Sequence, residues 1–404
     1  MNSHSLHILL LNQYYPPDTA ATAKMAQLVA EALAERHRVT VLAGRPSYDP
    51  TEYHPYYLRR REARGNLVVE RVGSTAYHRR RMRRRVTNYL SYLALAVPRA
   101  LMIADVDIVL SMTDPPIAGI AGALVARLRR RPFVYNIRDL YPDMALAGEI
   151  VQPARWAEGW EQLHRWALQQ AARIVVLGED MRERVIAKGV DSNRVVVVRD
   201  GAPVPATTAS PDHPVAQEIR CGFPFVVLHA GNLGFYGAWE ALIGAARLLG
   251  GDDVGLVFVG DGAAKPQIEA LADGCHGVRF LPFRPFEEVP YVLAAADIHV
   301  VTVRRELEGV VVPSKLYPIL AAGRPVLAVA PERSDVARIV TRSGCGLVAD
   351  PDDPASVAAA VRALVQDRAR LEKMAQRARS IAPEYERGRQ LARFVQLIEQ
   401  VTAS

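Results

Sequence analysis

Short apolar runs alternate with amphipathic helical patterns along this chain, and the alternation runs through twice. Leu6–Leu11 reads as a strand, and Ala23–Glu35 follows as a helix with Met25, Leu28, Val29 and Leu33 on one face. Val39–Leu42, Val68–Val72, Asp107–Ser111, Phe133–Ile137, Arg173–Leu177 and Val195–Val198 continue the first set of strands. The pattern restarts at Phe225–His229, with a helix over Trp239–Leu249 and strands at Val254–Val259, Val278–Leu281, Ile298–Val303 and Val326–Val329. Strands separated by helices pair in parallel, because a parallel pair needs a crossover that a tight turn cannot supply.

The expected class is therefore α/β, with two Rossmann-like doubly wound domains facing a central cleft. A length of 404 residues suits two domains better than one core. We place the first over residues 1–202 and the second over 203–385. A last helix, residues 386–404, carries Leu391, Phe394, Val395 and Ile398 on one face and is expected to pack back on the body. The Pro-, Thr- and Ser-rich Asp200–His213 is the expected linker. Ligands in such folds sit beyond the carboxyl ends of the strands.

The formal net charge of +7 is local. From Pro50 to Arg85 there are 11 Arg and 3 Glu, a net of +8, and the rest of the chain sums to −1. A nucleic-acid partner is not expected, since no stacking platform or recognition motif accompanies the arginines. Cys221, Cys275 and Cys345 are scattered, with no zinc spacing and no disulfide framework, which suits a reducing cytoplasm. The N-terminus lacks the pattern of a signal peptide. The longest apolar stretch, Tyr89 to Ile103, is 15 residues and contains Pro98 and Arg99, short of the roughly 20 that span a bilayer.

Four loops carry residues suited to chemistry. After the first strand, Tyr15-Pro16-Pro17-Asp18-Thr19-Ala20 leads into a helix whose N–H groups could meet an anion. Gly231-Asn232-Leu233-Gly234 follows the strand Phe225–His229, and glycine there allows a close backbone approach to phosphate. Gly260-Asp261-Gly262 ends the next strand. Glu306-Leu307-Glu308-Gly309 leads to Val312-Pro313-Ser314-Lys315, where a Ser-Lys pair at the start of a helix suits a diphosphate and a carboxylate suits sugar or ribose hydroxyls. Each loop also has a plain reading as an ordinary strand-to-helix turn.

With these residues in order, the chain resembles a GT-B glycosyltransferase of the retaining, metal-independent family 4 (group 1) type, over nearly its whole length. The resemblance rests on Tyr15-Pro16-Pro17-Asp18, Arg138-Asp139-Leu140-Tyr141-Pro142, Gly231-Asn232-Leu233-Gly234, Val259-Gly260-Asp261-Gly262, Ala296-Asp297-Ile298, Pro313-Ser314-Lys315 and Ala321-Ala322-Gly323-Arg324-Pro325-Val326. It is closest to bacterial enzymes of surface-polysaccharide assembly that carry the Pro-Ser-Lys signature. It implies a nucleotide-sugar donor, most often a UDP-sugar, held by the second domain on Gly231, Asn232, Leu233, Gly234, Asp261, Arg284, Glu308, Gly309, Ser314 and Lys315. The base would stack near Phe283-Arg284-Pro285. The first domain would take a glycan or lipid-linked acceptor near Tyr15, Asp18, Thr19 and Ala20. No cofactor and no metal are implied.

The chain departs from the family at several positions. Asn232 and Gly237 stand where many members have an Arg and a Lys that clamp the diphosphate, so Lys315, Arg284 or Arg304 must carry more of the charge. Pro318 stands where members have a Glu that holds the ribose, with Glu308 as a substitute. Arg138 and Asp139 stand where many have a His that contacts the donor sugar, and these two with Asp114 are the catalytic candidates. A 2-epimerase acting on UDP-sugars and a catalytically silent nucleotide- or partner-binding protein share the architecture and remain alternatives. Arg79, Arg80, Arg81, Arg83, Arg84 and Arg85 precede the apolar Tyr89–Ile103, a pattern that suits an anionic membrane surface. The expected location is cytoplasmic, peripheral at the inner face of the membrane.

Overall fold

The computed structural model describes residues 5–48, 55–78, 81–147, 155–203, 209–251 and 253–403. They fall into two units: Met1–Gly178 with Arg182–Val198 and Gln390–Ser404, and Glu179–Met181 with Arg199–Arg389.

The first unit holds β1 (His7–Leu11), β2 (Arg38–Ala43), β3 (Arg59–Arg64), β4 (Leu67–Val72), β5 (Ile108–Ser111), β6 (Phe133–Asn136), β7 (Arg173–Val176) and β8 (Val195–Val197). They form one sheet in the order β3-β4-β2-β1-β5-β6-β7-β8. Every pairing is parallel except β3 with β4, in which Arg61 faces Glu70. Strand β1 is buried along its whole length, because helices cover both faces of a parallel sheet. Helix Ala21–Ala34 places Val29, Ala30 and Leu33 against Ile8, Leu10, Val39 and Val41. The last helix, Arg387–Ala403, adds Phe394, Val395 and Ile398 to the same core.

β3, Arg-Arg-Arg-Glu-Ala-Arg, has no apolar face and was not expected from the sequence. It is an edge strand, where charged side chains block pairing with another chain. It also helps to neutralise Glu70, a buried carboxylate on β4 that pairs with Arg59 at 2.9 Å and with Arg99. Arg71, next to it, is buried and donates to the carbonyls of Gly44 and Pro16. Part of the basic segment thus belongs to the interior of the unit.

The second unit holds β9 (Phe225–Ala230), β10 (Val254–Val259), β11 (Val278–Leu281), β12 (Ile298–Thr302), β13 (Val326–Val329) and β14 (Gly346–Ala349), in the order β11-β10-β9-β12-β13-β14 and all parallel. By order of appearance this is third, second, first, fourth, fifth, sixth, the doubly wound order of dinucleotide folds. Helix Trp239–Leu249 packs Trp239, Leu242 and Ile243 against Phe225, Val227 and Phe258. Ala216 and Ile219 cover Val226, Leu228 and Val257 on another face. Strand β14, half-buried at its edge and opened by glycine, was not read from the sequence.

Helix Met82–Met102 starts earlier than the apolar stretch suggested and takes Arg83, Arg84 and Arg85 into its first turn, with Pro98 inside it. Among the described residues, no helix is long and apolar enough to cross a membrane.

Candidate functional site

In a doubly wound sheet the connections diverge where the strand order reverses, and that leaves a crevice at the carboxyl ends. In the second unit the reversal lies between β9 and β12. A pocket of about 160 Å³ opens there, lined by Ala230 and Gly231 at the end of β9, Val259 at the end of β10, and Phe283, Arg284, His299, Lys315, Pro318 and their neighbours. A larger cavity of about 320 Å³, with Arg324, Arg368 and Arg379 in its wall, lies at the amino ends of β12 and β13. Of the two, the smaller one sits where such folds hold ligands.

Gly231 shapes the pocket. It adopts φ +120, and a Cβ there would lie 2.9 Å from the Cε of Lys315. Gly260, at φ +145, would put a Cβ 2.0 Å from the Gly231 carbonyl. Both positions exclude a side chain, so the loops after β9 and β10 lie in contact. The Gly231 N–H donates to Val259 at 2.8 Å and the Leu233 N–H donates to Asp261 at 2.8 Å.

Lys315 enters from the segment after β12. Its Nζ lies 2.7 Å from His229 Nε2 and 3.1 Å from the Asn232 carbonyl, with the Tyr236 ring 5.6 Å away. Burial pushes the ammonium down to about 7. His229 is buried against Trp239, and burial, then Lys315, hold it well below its usual value, so it is a neutral acceptor. His229 was missed from the sequence: in Phe225–Ala230 it reads as one more core position of a strand.

Arg284 lines the pocket, and its guanidinium pairs with Glu218 and, at 3.6 Å, with Glu288. Of the other expected donor residues, Asn232, Leu233 and Gly234 continue the loop from Gly231 but lie outside the lining, with Leu233 fully buried and the Gly234 carbonyl taken by Trp239 Nε1 at 2.7 Å. Asp261 accepts from the N–H of Gly262. Glu308 and Gly309 lie outside the lining, and the Gly309 N–H donates to the buried Asp180 at 3.3 Å. Ser314 is exposed, and the helix it precedes, Leu316–Ala321, has only six residues. Positive charge here comes from Lys315 more than from a long helix dipole.

In the first unit the order reverses between β1 and β5, and the N-domain candidates lie on the loops that leave that end. The Gln13 N–H donates to the Asp114 carbonyl at 2.8 Å, and the Arg138 N–H donates to Thr113 Oγ1 at 3.3 Å. Asp114, Arg138 and Asp139 thus follow β5 and β6 on loops joined to each other and to the loop after β1. Tyr15 is buried and pushed up to about 12 by burial. Asp18 accepts from the Ser47 and Tyr48 N–H groups at 2.8 Å, which makes it an organiser of the loop. Ala20 is buried ahead of the helix, and Thr19 is exposed. Arg81, Arg83 and Arg84 are exposed and Arg85 reaches Tyr89 Oη at 3.3 Å, while Arg79 and Arg80 lie outside the described residues.

Comparison with known proteins agrees with this layout. Residues 21–201 match the glycosyl transferase 4-like domain and residues 224–367 match the glycosyl transferases group 1. The chain is 28% identical over 261 residues to the probable glycosyltransferase WbjE of Pseudomonas aeruginosa, covering 62% of this chain and 64% of that protein. It is 25% identical over 252 residues to the putative colanic acid biosynthesis glycosyl transferase WcaI of Escherichia coli K12, covering 59% and 61%. The matched region is thus less than two thirds of either relative. Sucrose-phosphate synthase from Thermosynechococcus elongatus superposes with a TM-score of 0.75 at 16% identity, over 98% of this chain and 99% of that one. Anabaena HepE in complex with UDP-glucose superposes with a TM-score of 0.68 at 16% identity, over 98% and 100%. At that identity the superpositions speak for the fold, which is GT-B. With a 4-like domain followed by a group 1 domain, each on its own parallel sheet, the chain belongs to the glycosyltransferases.

Proposed function

We propose that this chain is an active glycosyltransferase (a hexosyltransferase, EC 2.4 type) that moves a sugar from a nucleoside diphosphate donor to a glycan or lipid-linked acceptor in surface-polysaccharide assembly, with retention of configuration. The pocket at the β9/β12 reversal, with Lys315 set under Gly231, carries the reading. When the bond from the anomeric carbon to the diphosphate breaks, negative charge develops on the leaving group. An ammonium held in a partly desolvated pocket stabilises that charge without first having to be positioned. Lys315 is such a group, and on this reading the reaction uses no metal and no cofactor. The UDP-glucose complex of HepE and the WbjE and WcaI relatives support a nucleotide-sugar donor, with UDP as the first choice, and a polysaccharide product. Arg138, Asp139 and Asp114 are assigned to the transferred sugar, and the loop at Tyr15–Ala20 to the acceptor.

Incubating the full chain with a panel of nucleotide sugars tests the reading. Slow release of nucleoside diphosphate, reduced at least tenfold by Lys315→Met, is expected. Interconversion of the donor sugar without transfer would select the epimerase. Absence of turnover with an unchanged melting temperature in UDP and GDP would reject the enzyme.

We further propose that the first unit rests on the inner face of the cytoplasmic membrane. Helix Met82–Met102 exposes Met82, Val86 and Leu90 at four-residue spacing, one above the other, beside exposed Arg81, Arg83 and Arg84. Apolar residues flanked by cations suit an anionic lipid surface. Binding to vesicles containing phosphatidylglycerol, weakened by Arg→Ser at 81, 83 and 84, is expected, and unchanged binding rejects this.

A further inference from the structure

The larger cavity of the second unit has no place in the donor reading, and its wall is rich in charge. It lies between the residues that precede β12 and β13, Asp297 and Arg324, and the helix Arg368–Ile381. That helix lines it with Arg368, Glu372, Ala375 and Arg379, which share one face at spacings of three and four. We propose that this cavity is a second anion site, separate from the pocket at Lys315, and that it takes a small phosphorylated molecule on Arg324, Arg368 and Arg379.

Positive charge outweighs negative here. The Asp297 carboxylate is already taken up: its Oδ2 accepts from the Val226 N–H at 2.8 Å and from Arg220 at 2.9 Å, and its Oδ1 accepts from Arg368 at 3.1 Å. Arg324 and Arg379 are left without a carboxylate among the described residues. The Arg324 guanidinium reaches the Ala296 carbonyl and that of Arg379 the Gly323 carbonyl, each at 3.5 Å, beyond the usual range of about 2.7–3.2 Å. An arginine carries five donors, so both have donors to offer a ligand. Glu372, the other acid of the lining, is exposed.

The cations also act on one another. Burial, opposed by Asp297 and helped by Arg379 and Arg220, holds the Arg324 guanidinium below its usual value. An anion bound among them relieves that repulsion. Gly323, at φ +63, makes the arrangement possible, since a Cβ there would lie 2.3 Å from the Arg379 Cγ.

The chemistry of the wall selects the ligand. A guanidinium presents its donors in a planar fork that matches two phosphate oxygens at once. Ala294, Ala322 and Ala375 add small apolar surface that suits a short carbon skeleton. At about 320 Å³ the cavity has the size of a small-molecule site, which runs from about 300 to 1,000 Å³.

Calorimetry on the full chain with inorganic phosphate, pyrophosphate and glucose 6-phosphate tests this. The tightest binder of the three tells whether a bare phosphate, a diphosphate or a sugar phosphate is the ligand. Binding of at least one probe is expected, kept in Lys315→Met and weakened about tenfold or more when Arg324→Gln and Arg379→Gln are combined. Glu372→Gln removes an exposed negative charge from the wall and should tighten binding by about two- to fivefold, a gain that misfolding cannot produce. No binding of any probe overturns the proposal. Binding that is lost in Lys315→Met and kept in the arginine variant assigns the probes to the donor pocket and overturns it as well. So does an affinity that neither the arginine substitutions nor Glu372→Gln changes.

Discussion

Lys315 Nζ and His229 Nε2 lie 2.7 Å apart, one from a loop and one from the middle of a sheet. Two cations could not share that distance in a buried setting, so the imidazole is neutral and accepts from the lysine. With the ammonium brought down to about 7, its charge is present below that pH and fades above it. A bound diphosphate would restore the charge, so its binding takes up a proton. Affinity for nucleoside diphosphate should therefore fall as pH rises from 7 to 9, measured by calorimetry. Lys315→Met should weaken binding about 10–100-fold, abolish that slope and raise the melting temperature. An unchanged slope would remove Lys315 from the site.

Gly231→Ala tests the loop through a different physical term. The added methyl meets Lys315 Cε at 2.9 Å, and the backbone at φ +120 suits only glycine. The expected result is a loss of about 1–3 kcal/mol in unfolding free energy, from backbone strain, together with a raised KM for donor. A variant with native stability and KM would show that the loop has room to yield.

Asp180 provides a stability test within the second unit. Burial, with Asp335 nearby, pushes its carboxyl up to about 6, against N–H bonds from Met181 and Gly309 that hold it down. A carboxyl raised in the folded state stabilises it below the unfolded value near 4, and that stability is lost as pH rises through 6. Asp180→Asn should raise stability at pH 7.5 by on the order of 2 kcal/mol and flatten the profile between pH 4 and 6. A lower melting temperature at pH 7.5 would mean that the N–H bonds outweigh desolvation.

His164, in the first unit, runs in the other direction. It is buried, stands edge-on to Tyr135 at 5.8 Å, and has no protein partner on either ring nitrogen. Burial brings it down to about 4. Stability is therefore full above about 6.5 and lost as pH falls toward 4. His164→Phe keeps the ring contact and removes two unsatisfied polar atoms, so unfolding should shift to higher temperature at both pH values, and by more at pH 4.5 than at pH 8. Equal shifts at both pH values would assign the effect to packing instead.

The sequence made the two doubly wound sheets legible because each interior strand is a run of apolar residues buried on both faces. Ile8-Leu9-Leu10-Leu11 and Leu256-Val257-Phe258-Val259 can serve no other role in a chain of this composition. Gly231 and Lys315 were visible for a related reason: glycine after a strand and a cation after Pro-Ser stand out locally, whereas Arg284 came only with the family resemblance. The comparisons placed the family on both halves. The charged edge strand Arg59–Arg64 was not legible, since a pattern that exists to repel partners has no apolar face to detect.

What the sequence by itself determined is the class of the interior elements and the order in which they follow, which are set by local periodicity. The tertiary structure alone decided who meets whom. It placed His229 under Lys315 across 86 residues and gave Asp18 to the N–H groups of Ser47 and Tyr48. Such pairings depend on sheet register and burial, and burial sets the charge states on which the chemistry depends.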